Sequence, residues 1–317
     1  MDNWGTLTLT NTSVTNNRVG GRLASNAVGG GIRNWQSGSL TLRHSIVNHN
    51  HAISSGPNAC AAGGGGIDSL GKLTIARSVV NNNAVRLSIA ANCGEAQGGG
   101  IFIVEGGSAR ISNTTIDQNQ VSTTSVGGDA TAFSGGIAEY GTLVLRNSTI
   151  RNNRVRATAG ASGTANPTAG GIGVVFPGKA TMLHTAITGN EVTATAAAGA
   201  AVAEGGGMQT TSTILSHSLV SGNRLIARSQ TGSATVHGAG IQHGNDVLKV
   251  LDTKIRHNTA VATGTEGEAL GGGIWNDAFF PPPPSPRLVL NKSTINDNRL
   301  IASPGITVHG GGLFTTV

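Results

Sequence analysis

Apolar residues in this chain recur in short alternating runs, and one phrase of them returns nine times from end to end. The phrase is Leu-x-Leu, a serine or threonine, an apolar residue and a closing asparagine. Its first copies are Leu7-Thr8-Leu9, Val14, Asn17 and then Leu40-Thr41-Leu42, Val47, Asn50. The closing residues are Asn17, Asn50, Asn83, Asn119, Asn153, Asn190, Asn223, Asn258 and Asn298, so successive copies lie 33 to 40 residues apart. A second marker keeps the same beat. Gly-Gly-Gly-Ile ends at Ile32, Ile101 and Ile274, with variants ending at Ile67, Ile137, Ile172, Met208, Ile241 and Leu313. Runs this short, alternating with period two between Gly and Asn corners, predict strands and not helices. A fixed period predicts a solenoid with one copy per turn. The expected fold is all-β: about nine turns of parallel strands, spaced ~4.8 Å, forming a rod roughly 40 Å long.

Two columns of side chains stand out when the copies are aligned. The closing asparagines are placed to bond amide to amide along the rod. A Ser/Thr column (Thr12, Ser45, Ser78, Thr114, Ser148, Thr185, Ser218, Thr253, Ser293) has no exception. A hydroxyl donates and accepts at once, so each is expected to bridge the turns above and below. Between each closing Asn and the next Gly-Gly-Ile lies a longer arc rich in Ala, Thr, Ser and Gly, as in residues 190–205. Its ends alternate, which predicts an out-and-back excursion: two flat strands over a core of small residues, stacked into a thin wing. The chain reads as a single domain, 1–317. Residues 277–287 are a Pro-rich bulge, because proline cannot join a ladder. Both ends fall just after a Gly-Gly-Ile strand. That phase predicts a segment of a longer solenoid, or head-to-tail self-association through open strand edges.

Composition changes this picture little. Aromatics make up 3% and charged residues 11%, with 49 glycines, a poor recipe for a globular core but suited to stacked strands. The net charge of +6 is carried largely by arginine, and Arg18, Arg154, Arg224 and Arg299 each follow a closing Asn. Such a stripe is either a solvated column or an attractor of acidic polymers. No basic cluster is interleaved with aromatics, so nucleic acid is not an expected partner. There is no apolar run of membrane length and no signal peptide at Met1. Cys60 and Cys93 each follow a closing Asn by ten residues. Equal phase on adjacent turns brings them within disulfide range, predicting a bridge and an oxidising compartment.

The clearest copy, Gly135-Gly136-Ile137, Leu143-Val144-Leu145, Asn147-Ser148-Thr149-Ile150 and Asn153, resembles the right-handed parallel β-helix repeats of bacterial extracellular proteins. It is most similar to polymorphic outer-membrane-protein and adhesin-like passenger repeats, and the resemblance covers essentially the whole chain. It implies a right-handed parallel β-helix, secreted or at the cell surface. The scaffold also resembles that of pectate-lyase-like enzymes degrading pectin and alginate. Two functions therefore stay open. One is a structural, adhesive or polysaccharide-binding rod with a polysaccharide or cell-surface partner. The other is a polysaccharide lyase or glycoside hydrolase acting on an extended acidic polysaccharide.

The enzyme reading needs clustered acids, or Ca²⁺-binding acids with a basic proton acceptor. Asp68, Glu105 and Glu139 lie near the Gly-Gly-Ile strand of three consecutive turns, with Arg110 close by. Their offsets from the isoleucine differ, so they form no clean column. Ca²⁺ enters only with a lyase, and no other cofactor or metal is expected. His44, His184 and His217 share a corner position without an acid that joins them. Candidate ligand contacts are Arg33, Trp275, Asp277, Phe279 and Phe280, the last four beside the polyproline run. The sequons at Asn11, Asn113, Asn147 and Asn291 belong to the repeat phrase.

Overall fold

In the computed structural model, residues 1–22, 26–56, 59–89, 94–277 and 286–315 are described, Arg22 by its backbone alone. Cys93, Phe279, Phe280 and the run Pro281–Pro284 lie outside these. The described residues contain strands and turns and no helix. Among the described residues all strand pairing is parallel, in five sheets, one of ten strands and four of nine, each strand hydrogen-bonded to its equivalent one turn away. The chain is a parallel β-solenoid, and the number of stacked strands matches the nine copies of the phrase.

One turn illustrates the rest. The Gly-Gly-Ile strand Ile137–Glu139 is followed by the Leu-x-Leu strand Thr142–Arg146 and the short strand Thr149–Arg151. These three enclose Ile137, Leu143, Leu145 and Ile150, part of one continuous aliphatic core along the rod. Strand Arg154–Ala159 then runs outward and Ala165–Thr168 runs back. The two press together over a separate core of alanines and valines, among them Val155, Ala157, Ala132 and Ala165. The arc is thus the two-layered wing that its alternation implies. It is thin because its inward residues are mostly alanine.

Corners are set by backbone conformation. Asn147 and Asn152 adopt left-handed φ values of 46° and 53°, and their equivalents on other turns do the same. After glycine, Asn and Asp adopt this conformation most readily. Each such residue turns the next one inward: Ser148 at the first corner, Asn153 at the second. Asn153 is wholly buried at the junction of rod and wing. Its Oδ1 accepts from the backbone N–H of Asn119 (2.9 Å) and from Asn119 Nδ2 (3.0 Å), while its Nδ2 donates to Ile116 O and to Asn190 Oδ1. Both donors and the acceptor are in use, and the pattern repeats from Asn17 to Asn298. The neck has no room for a further atom. A Cβ on Gly136 would meet the Gly171 carbonyl at 2.5 Å and Asn153 Nδ2 at 3.1 Å.

The hydroxyl column behaves differently from its expectation. Ser148 Oγ accepts the Thr114 N–H of the preceding turn (3.2 Å) but donates within its own turn, to Arg146 O (2.8 Å). The left-handed residue between them swings that carbonyl onto the hydroxyl.

Candidate functional site: a groove between rod and wing

The second residue of each Gly-Gly-Ile strand points away from the aliphatic core. In register these are Arg33, Asp68, Phe102, Ala138, Gly173, Gln209, Gln242 and Trp275. An outward column would normally be solvated. Here Asp68 is 2% exposed, Trp275 6%, and Ala138 and Gln242 are fully covered. The returning layer of the wing joins this sheet through the Gly-Gly neck and overhangs it. Its outward column runs Gln97, Phe133, Thr168, Glu204, His237 and Leu270. The two columns form the floor and wall of a groove parallel to the rod axis.

Three chemistries follow one another along the groove. At one end Arg33 Nε lies 3.3 Å from Asp68 Oδ2, and the guanidinium sits 3.7 Å from the ring centre of Trp35. Burial pushes the Asp68 carboxyl up to about 6, against the opposing pull of Arg33. In the middle, Phe102 and Phe133 meet Tyr140 edge-on, with ring centres 5.7 and 5.9 Å apart. Beyond them opens a cavity of about 630 Å³ lined by Phe133, Tyr140, Val175 and Phe176, by Asn166, Thr168 and Gln209, and by Glu95 and Glu204. Phe176 is 76% exposed at its rim. Gln209 Oε1 and Asn166 Oδ1 are buried there with no hydrogen-bond partner among the described residues. Burial raises the Glu95 carboxyl, opposed by a hydrogen bond from Gln97. At the far end His237 stacks on Trp275, ring centres 4.3 Å apart. Its Nδ1 lies 3.1 Å from Glu204 Oε1 and its Nε2 3.0 Å from Glu268 Oε1. A neutral imidazole has one N–H, so both contacts are hydrogen bonds only when the cluster holds a further proton.

The acids singled out in the sequence do not converge. Asp68 is on the groove floor. Glu139, at the third position of its strand, points into the rod and is fully buried, which pushes its carboxyl up to about 8. Glu105 is exposed in the turn after its strand, and Arg110 is exposed on the outer side of the Leu-x-Leu sheet, between Thr74 and Val144. Among the aromatic candidates, Trp275 is a buried residue of the groove. Asp277 is half-buried and donates its backbone N–H to His243 O. Phe279 and Phe280 lie outside the described residues.

The histidine corner does have an acid. Asp252 occupies the position equivalent to His217 on the next turn, with its Oδ2 3.8 Å from His217 Nε2. Both precede a member of the Ser/Thr column, so alignment on that column reveals the pair. Among the described residues no three His, Cys, Asp or Glu side chains are grouped to hold a metal. The wall residues Phe133, Glu204, His237 and Leu270 were missed by sequence reasoning, although each sits at a constant place just before the glycines that open a turn. No helix among the described residues is long and apolar enough to cross a membrane.

No protein-family model matches the chain, and no curated protein matches it. Among solved structures, a TibC-catalysed hyper-glycosylated TibA fragment is 14% identical to it. That match covers 93% of this chain and 99% of the fragment with a TM-score of 0.14, too low a similarity to bear on function.

Proposed function

We propose that this chain is an extracellular or cell-surface β-solenoid rod that binds an extended neutral or amino-bearing glycan in the groove between rod and wing. The observation that carries the reading is the 630 Å³ cavity, where aromatic rings stand beside two buried amide oxygens without partners. Ring faces match the apolar faces of sugars, and buried amides recognise hydroxyls. Glu95 and Glu204 line the cavity and no lysine or arginine does, which disfavours a uronate there. A Cys60–Cys93 bridge accords with the same setting. The test is calorimetric titration with neutral, amino-bearing and uronate oligosaccharides of equal length. Binding of either of the first two, lost in Gln209→Ala and Phe176→Ala, supports the reading. No binding of either, or binding indifferent to both variants, removes it.

Glycan cleavage is a second reading, with its best ground at Glu204, His237 and Glu268. Two carboxylates flank one imidazole beside the cavity, the residue types that acid–base cleavage requires. New reducing ends or unsaturated products from an oligosaccharide panel, abolished in Glu204→Gln, would establish it; an unchanged panel would end it.

A further inference from the structure

The outgoing layer of the wing carries a cluster of exposed arginines. Arg154, Glu191 and Arg224 form one outward column on three successive turns. Arg156 and Arg228 stand further out along the same layer, also exposed. Glu191 is the single acid among them, 3.4 Å from Arg154 Nε, 3.8 Å from Arg156 Nη2 and 3.8 Å from Arg224 Nη1. One carboxylate cannot balance three guanidiniums, and Arg228 makes no ion pair among the described residues. A shallow depression of about 360 Å³ lies between Arg156, Arg224 and Arg228, with Thr193 and Thr195 on its floor.

We propose that this face of the wing is a second ligand site, and that it takes an acidic polysaccharide lying along the rod axis. Guanidinium forks match carboxylate and sulfate groups in pairs of hydrogen bonds, and the threonine hydroxyls address ring hydroxyls between them. The β-ladder holds Arg154 and Arg224, on alternate turns, roughly 10 Å apart, with Arg156 and Arg228 at other positions along the same strands, a fixed array suited to a charged, extended chain. Glu191 spaces the arginines and competes with the ligand for them. The two layers of the wing would then serve different glycans, so this site stands or falls independently of the groove.

The experiment titrates the intact chain with a sulfated uronate oligosaccharide and with a neutral one of equal length. The expected result is binding of the acidic chain alone, weakening as salt is added. Arg156→Gln with Arg228→Gln should weaken it about fivefold. Glu191→Gln should tighten it, and Gln209→Ala in the groove should leave it unchanged. All these side chains are at least partly exposed, and an unaltered thermal midpoint confirms that each variant folds. Equal affinity in the double arginine variant, weaker binding in Glu191→Gln, or equally tight binding of duplex DNA or anionic vesicles would overturn the proposal.

Discussion

The ring of Phe133, on the wing, lies directly over Gly173, on the rod one turn further along: a Cβ at Gly173 would fall 2.1 Å from the ring's Cζ. The groove closes at this point because the floor has no side chain there. Gly173→Ala should therefore push Phe133 out of its buried seat, lowering stability by about 1–3 kcal/mol. Adding Phe133→Ala should relieve the clash, so that the double variant loses less than the sum of the two single ones. Chemical denaturation of the three variants checks this coupling.

The asparagine ladder should be intolerant of truncation. Asn153→Ala leaves the two Asn119 N–H donors without their acceptor in a buried neck, and takes one donor each from the Ile116 carbonyl and from Asn190 Oδ1, which keeps the backbone N–H of residue 153. Each orphaned donor costs about 1–3 kcal/mol, so a loss of about 2–6 kcal/mol is expected. Asn153→Asp keeps the acceptor and loses the donor, and should also destabilise the rod. Denaturant midpoints near neutral pH decide the matter.

Stability should fall as pH rises. Burial lifts Glu139 from 4.5 to about 8 and Asp68 from 3.8 to about 6, so each carboxyl stays protonated in the fold after it has ionised in the unfolded chain. The folded state is therefore favoured in full below the unfolded values. The advantage is lost across pH 4–6 for Asp68 and pH 4.5–8 for Glu139. For Glu139 the whole change amounts to at most roughly 5 kcal/mol. Glu139→Gln should flatten the upper part of the profile and raise stability at pH 8. Thermal midpoints from pH 4 to 8 for both proteins would reveal the difference; parallel profiles would refute it.

The Glu95 N–H donates to the Cys60 carbonyl, so Cys60 stands opposite the start of the next returning strand. If Cys93 is its partner, the unfolded chain made without reductant should yield no reactive thiol. Reduction should then cost about 3–4 kcal/mol through the freed loop. Thiol titration with and without reductant separates this from two cysteines that never pair.

Periodicity and alternation in the sequence were enough to define the solenoid, the asparagine ladder and the wing. Ile137, Leu143, Leu145 and Ile150 return every turn, and a stacked strand has no other place to put them than inside. Parity also separates two of the acids: Asp68 and Glu139 lie one and two residues after their isoleucines, and in a strand that single step is the difference between outside and inside. What the sequence could not supply is the angle at which the wing leaves the rod. That angle follows from how the Gly-Gly neck packs on Asn153 and its ladder partners, and it alone brings Phe133 over Gly173 and His237 onto Trp275. Those residues are some 40 positions apart and belong to different strands with separate cores. No local pattern links them, so the groove exists only once the two stacks are set against each other.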